Sequence, residues 1–431
     1  MQSRGFQYCV FIVFGLTVVV ALRRTRKYQH GNLVGNTESV ETDRHLWVVR
    51  GNNGRVEQLA TRSHLQRRLF DSQQVASHGA RCLDGSSSGY YIRRGTLNTS
   101  WVIFLQGGGH CGSENDCNVQ ARGILGSSHH WPELKTGRSL LSLDSTLNKD
   151  FRNWNHVDIP YCSGDVYTGQ RRKPNKWGLY FAGHLSLVAI LSDLLNTTSL
   201  TQAKRVIISG ASAGAVAAFE HADFISNLLP WADVKAVPIG GVYLPKDVQQ
   251  FTYWKSSREQ PERNAFLHDL YQSFTHVMCR NANRENAHRC GPANVAFLLP
   301  YIATPLFIAE NQYDSDKLQL LGCPFSKGMD QMEYVQYYGE RVRETLLNVS
   351  KSEKRVGVFS PSCLDHTASL NKVYKSPRIA GNSFGKLLHK WYFSSNTHRS
   401  TNLVERCDET LTVSTRLLPC NRAAQCKRLR S

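Results

Sequence analysis

No Cys-x-x-Cys pair occurs in this sequence, and no histidines stand at zinc-finger spacing. That excludes the common zinc-ribbon and zinc-finger designs. No internal repeat is visible, which excludes a solenoid or propeller. No Lys-Ser/Thr follows the glycine triplet Gly107–Gly109, so these glycines do not form a Walker-type phosphate loop. Acidic residues are scarce, 34 against 52 lysines and arginines, for a formal charge of +18. The chain is not short of core material. Its hydrophobic content of 41% and charged content of 20% are those of a globular protein rather than a disordered one. Neither a metal nor a cofactor is expected.

What is present points to export. Arg4 precedes an apolar run from Tyr8 to Leu22. The run has the length of a signal-peptide core and is short for a membrane span. Val19 and Ala21 fit the −3 and −1 positions of a cleavage site, and the basic cluster Arg23–Lys27 follows at once. A cleaved signal is expected, with a signal anchor as the alternative. Of the 12 cysteines, 11 are dispersed along the chain beyond that run. Such dispersal favours disulfides over metal. Asn98, Asn196 and Asn348 head glycosylation sequons. A secreted, disulfide-bonded chain rarely meets nucleic acid, so the positive charge suits anionic glycans or membrane surfaces better, unless it only reflects a basic surface and basic tails.

The organisation follows from hydrophobic pattern. Residues 23–75 are polar and basic and read as a low-order linker. A catalytic domain is expected over 76–400, and 401–431 read as a basic, cysteine-containing tail. Strands are expected at Tyr90–Ile92, Trp101–Leu105, Val157–Ile159, Val206–Ile208, Leu306–Ala309 and around Val356–Phe359. Helices are expected in "HLSLVAILSDLLNTT" and "EYVQYYGERVRETLLNVS" and from Ala213. Strands alternating with helices imply an α/β fold with a mainly parallel sheet.

In such a sheet, sites lie beyond the carboxyl ends of strands. Four strands end on chemistry. The run Val206–Ile208 leads into Gly210-x-Ser212-x-Gly214 and then an alanine-rich helix, the pattern of a strand-turn-helix that lifts a serine hydroxyl above the sheet. Trp101–Leu105 delivers Gly107, Gly108 and Gly109, whose N–H groups suit an oxyanion hole, with Ala213 as the second donor. Leu306–Ala309 runs into Asp314 and Asp316, either of which could orient a histidine. The last strand runs into His366, the candidate base for Ser212. Asp365, its neighbour in sequence, is poorly placed to bond it. The order Ser, Asp, His is that of α/β-hydrolases.

With "LDGSSSGYY", "FLQGGGHC", "NWNHVDIPYCSGDVYTG", "ISGASAGAVAAFEHAD", "TPLFIAENQYDSDKL" and "SPSCLDH", the chain resembles the Notum and pectin acetylesterase family of serine hydrolases from about Cys82 to Phe393. The resemblance implies an α/β-hydrolase fold and carboxylic-ester hydrolysis. It puts the nucleophile on Ser212, the acid on Asp314, the base on His366 and the oxyanion donors on Gly108, Gly109 and Ala213. Notum-like members remove palmitoleate from a serine of Wnt proteins; pectin acetylesterases remove acetyl groups from polysaccharide. "SSHHWPELKTGRSLLS" and "IPYCSGDVYTG" look closer to the first branch. Gly109-His110 stands where the Notum pattern has Trp-Tyr lining the lipid pocket, which makes His110 a substrate-binding candidate. "VPIGGVYL" lacks the Asp-Ser-Gly or Asp-Ala-Gly of both branches. The expected substrate is a fatty acyl ester on an extracellular protein, with acetylated polysaccharide as the alternative. A catalytically silent binding module is disfavoured, because such modules usually lose the nucleophile or the base. Cys111 and Cys117, close in sequence beside the glycine turn, are expected to pair.

Overall fold

The computed structural model describes residues 63–244, 259–291, 294–321, 329–351, 356–394 and 401–406, with short strands at 8–13, 16–21, 49–50 and 56–57. Residues Met1–His64 and Leu65–Ser431 are separate units. In the first, Tyr8–Val13 pairs antiparallel with Leu16–Ala21, and Val49–Arg50 with Val56–Glu57. The apolar run of the sequence falls on the first of these pairs. Among the described residues, no helix is long and apolar enough to cross a membrane.

The second unit is built on a ten-stranded sheet. Its strands are β1 (Leu65–Leu69), β2 (Gly89–Arg93), β3 (Leu97–Leu105), β4 (Leu134–Lys135), β5 (Trp154–Ile159), β6 (Arg205–Ala211), β7 (Asp233–Ile239), β8 (Leu306–Ala309), β9 (Val356–Ser360) and β10 (Asn402–Val404). Their order is β10-β9-β8-β7-β6-β3-β5-β2-β1-β4. From β10 to β5 all pairs are parallel, and β2, β1 and β4 continue the sheet antiparallel.

Side chains alternate along each strand between two cores, as the period of two demands. Trp101, Ile103, Leu105, Val206, Ile208, Leu306 and Ile308 enter one cluster. Val102, Phe104, Ile207, Phe307 and Ala309 enter the other. Both faces are therefore covered, which explains why these strands read as unbroken apolar runs. Helices α1 (Glu114–Ala121), α2 (Gly183–Thr197), α3 (Ala213–Leu228), α4 (Ser315–Leu320), α5 (Met329–Ser350) and α6 (Phe384–Phe393) serve this frame. Leu187, Ile190, Leu191 and Leu194 of α2 and Val216, Phe219 and Ile225 of α3 fill the first cluster. Phe384, Leu387, Leu388 and Trp391 of α6 fill the second.

Two expected boundaries are corrected. Strand β1 and the first turn of a capped helix at Ser72–His78 lie inside the stretch read as linker. Strand β10 lies inside the stretch read as tail and pairs with β9. Both strands occupy outer positions in the sheet, where partial exposure keeps their sequences polar enough to hide them. Strand β7 was also not expected, because Lys235 and Pro238 interrupt its apolar pattern. Lys235 is buried all the same, paired with Asp233 and 4.6 Å from the Tyr392 ring centroid.

Candidate active site

Ser212 sits between β6 and α3 with φ 55° and ψ −121°. An L-residue adopts such a conformation only when its surroundings enforce it. Here they do. The Ser212 N–H donates to Ile239 O at 3.0 Å, tying the turn to the end of β7. The flanking glycines allow the close approach. A Cβ on Gly214 would lie 1.9 Å from Leu105 O, and one on Gly210 would lie 2.2 Å from Gly214 O. Gly214→Ala therefore forces β3 and α3 apart and is expected to cost about 3 kcal/mol of stability. Equilibrium unfolding of the variant against wild type measures it.

The glycine turn after β3 lies beside Ser212. A Cβ on Gly107 would come within 2.9 Å of Ser212 Cβ. Gly108 has no room for a side chain, since a Cβ would meet the Tyr161 ring at 2.2 Å. Gly109, at φ 68°, faces open space. The backbone hydrogen bonds at these turns use none of the N–H groups of Gly108, Gly109 and Ala213. The turn is braced from below by a loop with Val166 and Tyr167 at φ 56° and 60°. Tyr167 Oη donates to Gln106 O at 3.0 Å, and Val166 N donates to Tyr161 Oη at 2.8 Å. The Cys111–Cys117 disulfide forms as expected, alongside Cys82–Cys162 and Cys279–Cys290. Cys363 is disulfide-bonded as well. Cys323, Cys407, Cys420 and Cys426 lie outside the described residues.

The carboxyl ends of β8 and β9 bring the acid to the histidine. His366 Nδ1 bonds Asp314 Oδ2 at 2.7 Å. The other oxygen of Asp314 accepts from the N–H groups of Asp316 and Lys317, both at 3.1 Å. Of the two aspartates the sequence left open, Asp314 is the one that hydrogen-bonds His366. Asp316 is half exposed, and its carboxylate lies 3.8 Å from Nε2, beyond hydrogen-bonding range. Asp365 instead accepts from Ser369 N at 2.8 Å. Burial opposes the charge on His366, but the bond to Asp314 and its negative charge prevail and hold the imidazole above its ordinary range. Burial likewise opposes ionisation of Asp314, and the Lys317 ammonium with the His366 bond overcomes it.

One link is open. His366 Nε2 is buried with no hydrogen-bond partner, and the Tyr243 phenol lies near Ser212. Burial pushes that phenol far above its ordinary range, so it stays protonated. Tyr243, Glu310, Lys317 and Tyr161 are site residues that sequence reasoning missed. His110 is half-buried next to the exposed Gly109.

The pectinacetylesterase family model matches residues 62–412. The chain belongs to the pectinacetylesterase family. It is a carboxylic ester hydrolase of that family, which also takes in the Notum enzymes. Pectin acetylesterase 5 of Arabidopsis thaliana is 29% identical over 351 residues, covering 75% of this chain and 79% of that protein. The palmitoleoyl-protein carboxylesterase notum1' of Xenopus laevis is 28% identical over 350 residues, covering 75% and 68%. The crystal structure of the Wnt deacylase Notum from Drosophila superposes with a TM-score of 0.69 at 26% identity, covering 80% of this chain and 97% of that one. The ten-stranded sheet of this pectinacetylesterase-family chain is thus an α/β-hydrolase sheet, as expected.

Proposed function

We propose that this enzyme hydrolyses an O-linked fatty acyl ester on an extracellular protein, with Ser212 as nucleophile, His366 as base and Asp314 as its orienting acid. The observation that carries the triad is the 2.7 Å bond between His366 Nδ1 and Asp314 Oδ2, formed beyond the same sheet edge that lifts Ser212. The Ser212 hydroxyl turns to the idle Nε2. Its oxygen attacks the ester carbon while Nε2 takes the proton. The N–H groups of Gly108, Gly109 and Ala213 hold the oxyanion. The carbon–oxygen bond to the leaving alcohol breaks as Nε2 returns the proton to that oxygen. Water then gives its proton to Nε2, attacks the acyl-serine and releases the acid, and Ser212 recovers its proton.

Apolar surface beside the oxyanion turn supports a fatty acyl group. Leu125 Cδ2 lies 3.0 Å from where a Gly108 Cβ would stand, and Ile124 and Leu125 are both exposed. The open space over Gly109 leaves room that an aromatic side chain would fill, with His110 as a polar contact at its edge. Secretion is part of the reading. It is supported by the disulfides and by Asn98, Asn196 and Asn348, all exposed, and a membrane-anchored form in the secretory pathway is the alternative. The basic chain suits anionic glycans at the cell surface as a secondary partner.

Hydrolysis rates on p-nitrophenyl esters from acetyl to palmitoyl test the substrate. Each methylene buried against apolar surface adds about 0.8 kcal/mol. With partial burial, kcat/KM is expected to climb about a hundredfold from acetyl to octanoyl. A falling profile with acetyl as the best substrate would overturn the lipid reading in favour of polysaccharide deacetylation.

A further inference from the structure

Lys317, in α4, is 1% exposed and meets Glu310, which is fully buried at the end of β8. Its ammonium lies 2.6 Å from Glu310 Oε1 and 3.5 Å from Asp314 Oδ2. The latter is the oxygen that also takes His366 Nδ1. The Lys317 ammonium donates to Val242 O at 3.1 Å, while Val242 N donates to Glu310 Oε2 at 2.8 Å. The pair therefore clips both polar groups of one peptide residue. The next residue is Tyr243, whose ring centroid lies 4.7 Å from the ammonium and whose phenol lies near Ser212. One buried ion pair touches the acid directly and reaches the nucleophile through a single tyrosine.

A charge this deep is costly unless it is fully paired. Replacing the pair with apolar residues of similar volume would fill the same space, so packing alone does not account for it. We propose that Lys317 is a positioning residue of the triad: anchored by Glu310 and Val242, it fixes the histidine-facing oxygen of Asp314 and tunes His366 as a base. The proposal rests on the Ser212–His366–Asp314 reading. The charges facing the Asp314–His366 pair are Asp316 and Lys317 of α4 and Glu310 just after β8, and the neutral phenols of Tyr243 and of Tyr338 in α5 also face it. Lys317 is the cation among them. It opposes protonation of His366, whereas Glu310 offsets part of that effect.

Removing the two members of the pair must then move the acid limb of kcat/KM in opposite directions. In Lys317→Met the cation is lost, His366 holds its proton to higher pH, and the limb rises by about half a pH unit or more. In Glu310→Gln the cation loses its counter-charge, and the limb falls. The full chain is assayed on p-nitrophenyl butyrate, with Asp314→Asn as control. Shifts of opposite sign are the expected result. If Lys317→Met does not fold, the fall in Glu310→Gln alone decides. Unmoved limbs, shifts of the same sign, or loss of fold in both variants would reduce the pair to a structural prop and overturn the proposal. An Asp314→Asn enzyme with wild-type turnover would instead overturn the triad on which it rests.

Discussion

Ser212→Ala is expected to lower ester turnover by about four to six orders of magnitude while leaving the fold intact. The size follows from the chemistry. Without Oγ no acyl-enzyme forms, and only the oxyanion donors and substrate binding remain to favour attack by water. The spared fold follows from the local geometry. The strained φ of 55° belongs to the backbone and is held by the Ser212 N–H bond to Ile239 O. Alanine keeps that N–H and the same Cβ, so the strain is neither added nor relieved. The substitution removes one side-chain hydroxyl, at a cost of about 1 kcal/mol or less. Turnover of a p-nitrophenyl ester, labelling by a fluorophosphonate probe and a thermal melt measure the three consequences together. Activity within tenfold of wild type would remove Ser212 from the nucleophile's role.

The central strands were legible because both faces of a parallel sheet are buried. Val206–Ile208 and Leu306–Ala309 carry apolar side chains on each face, and such runs announce themselves. The serine turn was legible for a different reason. Its glycines are required because a Cβ there would come within 1.9 and 2.2 Å of backbone oxygens, which leaves sequence little freedom. Strand β7 escaped notice because Lys235 is satisfied by partners found only in the fold, an aspartate on its own strand and a distant aromatic ring. The same limit applies at the site. Glu310 and Lys317 look like ordinary polar residues after a strand, and nothing in their spacing reveals that both are buried. Tyr243 follows a glycine turn whose role is visible only once β7 is placed beside β6. Pairwise contacts across the sheet edge supply this information, and a linear pattern does not carry it.

The two aspartates of "ENQYDSD" separate most sharply on substitution by asparagine. Asp314→Asn is expected to lower kcat by about three to four orders of magnitude, and Asp316→Asn by less than about fivefold. The structure dictates how an amide at 314 must sit. Two backbone N–H groups, of Asp316 and Lys317, donate to Oδ1, so the amide oxygen takes that place. The NH2 group then falls where Oδ2 meets His366 Nδ1 and the Lys317 ammonium. A donor there requires Nδ1 to accept, which moves the imidazole proton to Nε2. That nitrogen is then blocked as a base toward Ser212, and the developing imidazolium has lost its counter-charge. Asp316 makes no such demand. Its carboxylate is half exposed and 3.8 Å from Nε2, so solvent screens most of its influence. It still raises the proton affinity of His366, so Asp316→Asn moves the acid limb of kcat/KM slightly downward in pH. Turnover and pH profiles of both variants on one ester give the comparison. A greater loss at 316 than at 314 would mean that His366 rotates in the working enzyme and takes its orientation from the exposed carboxylate.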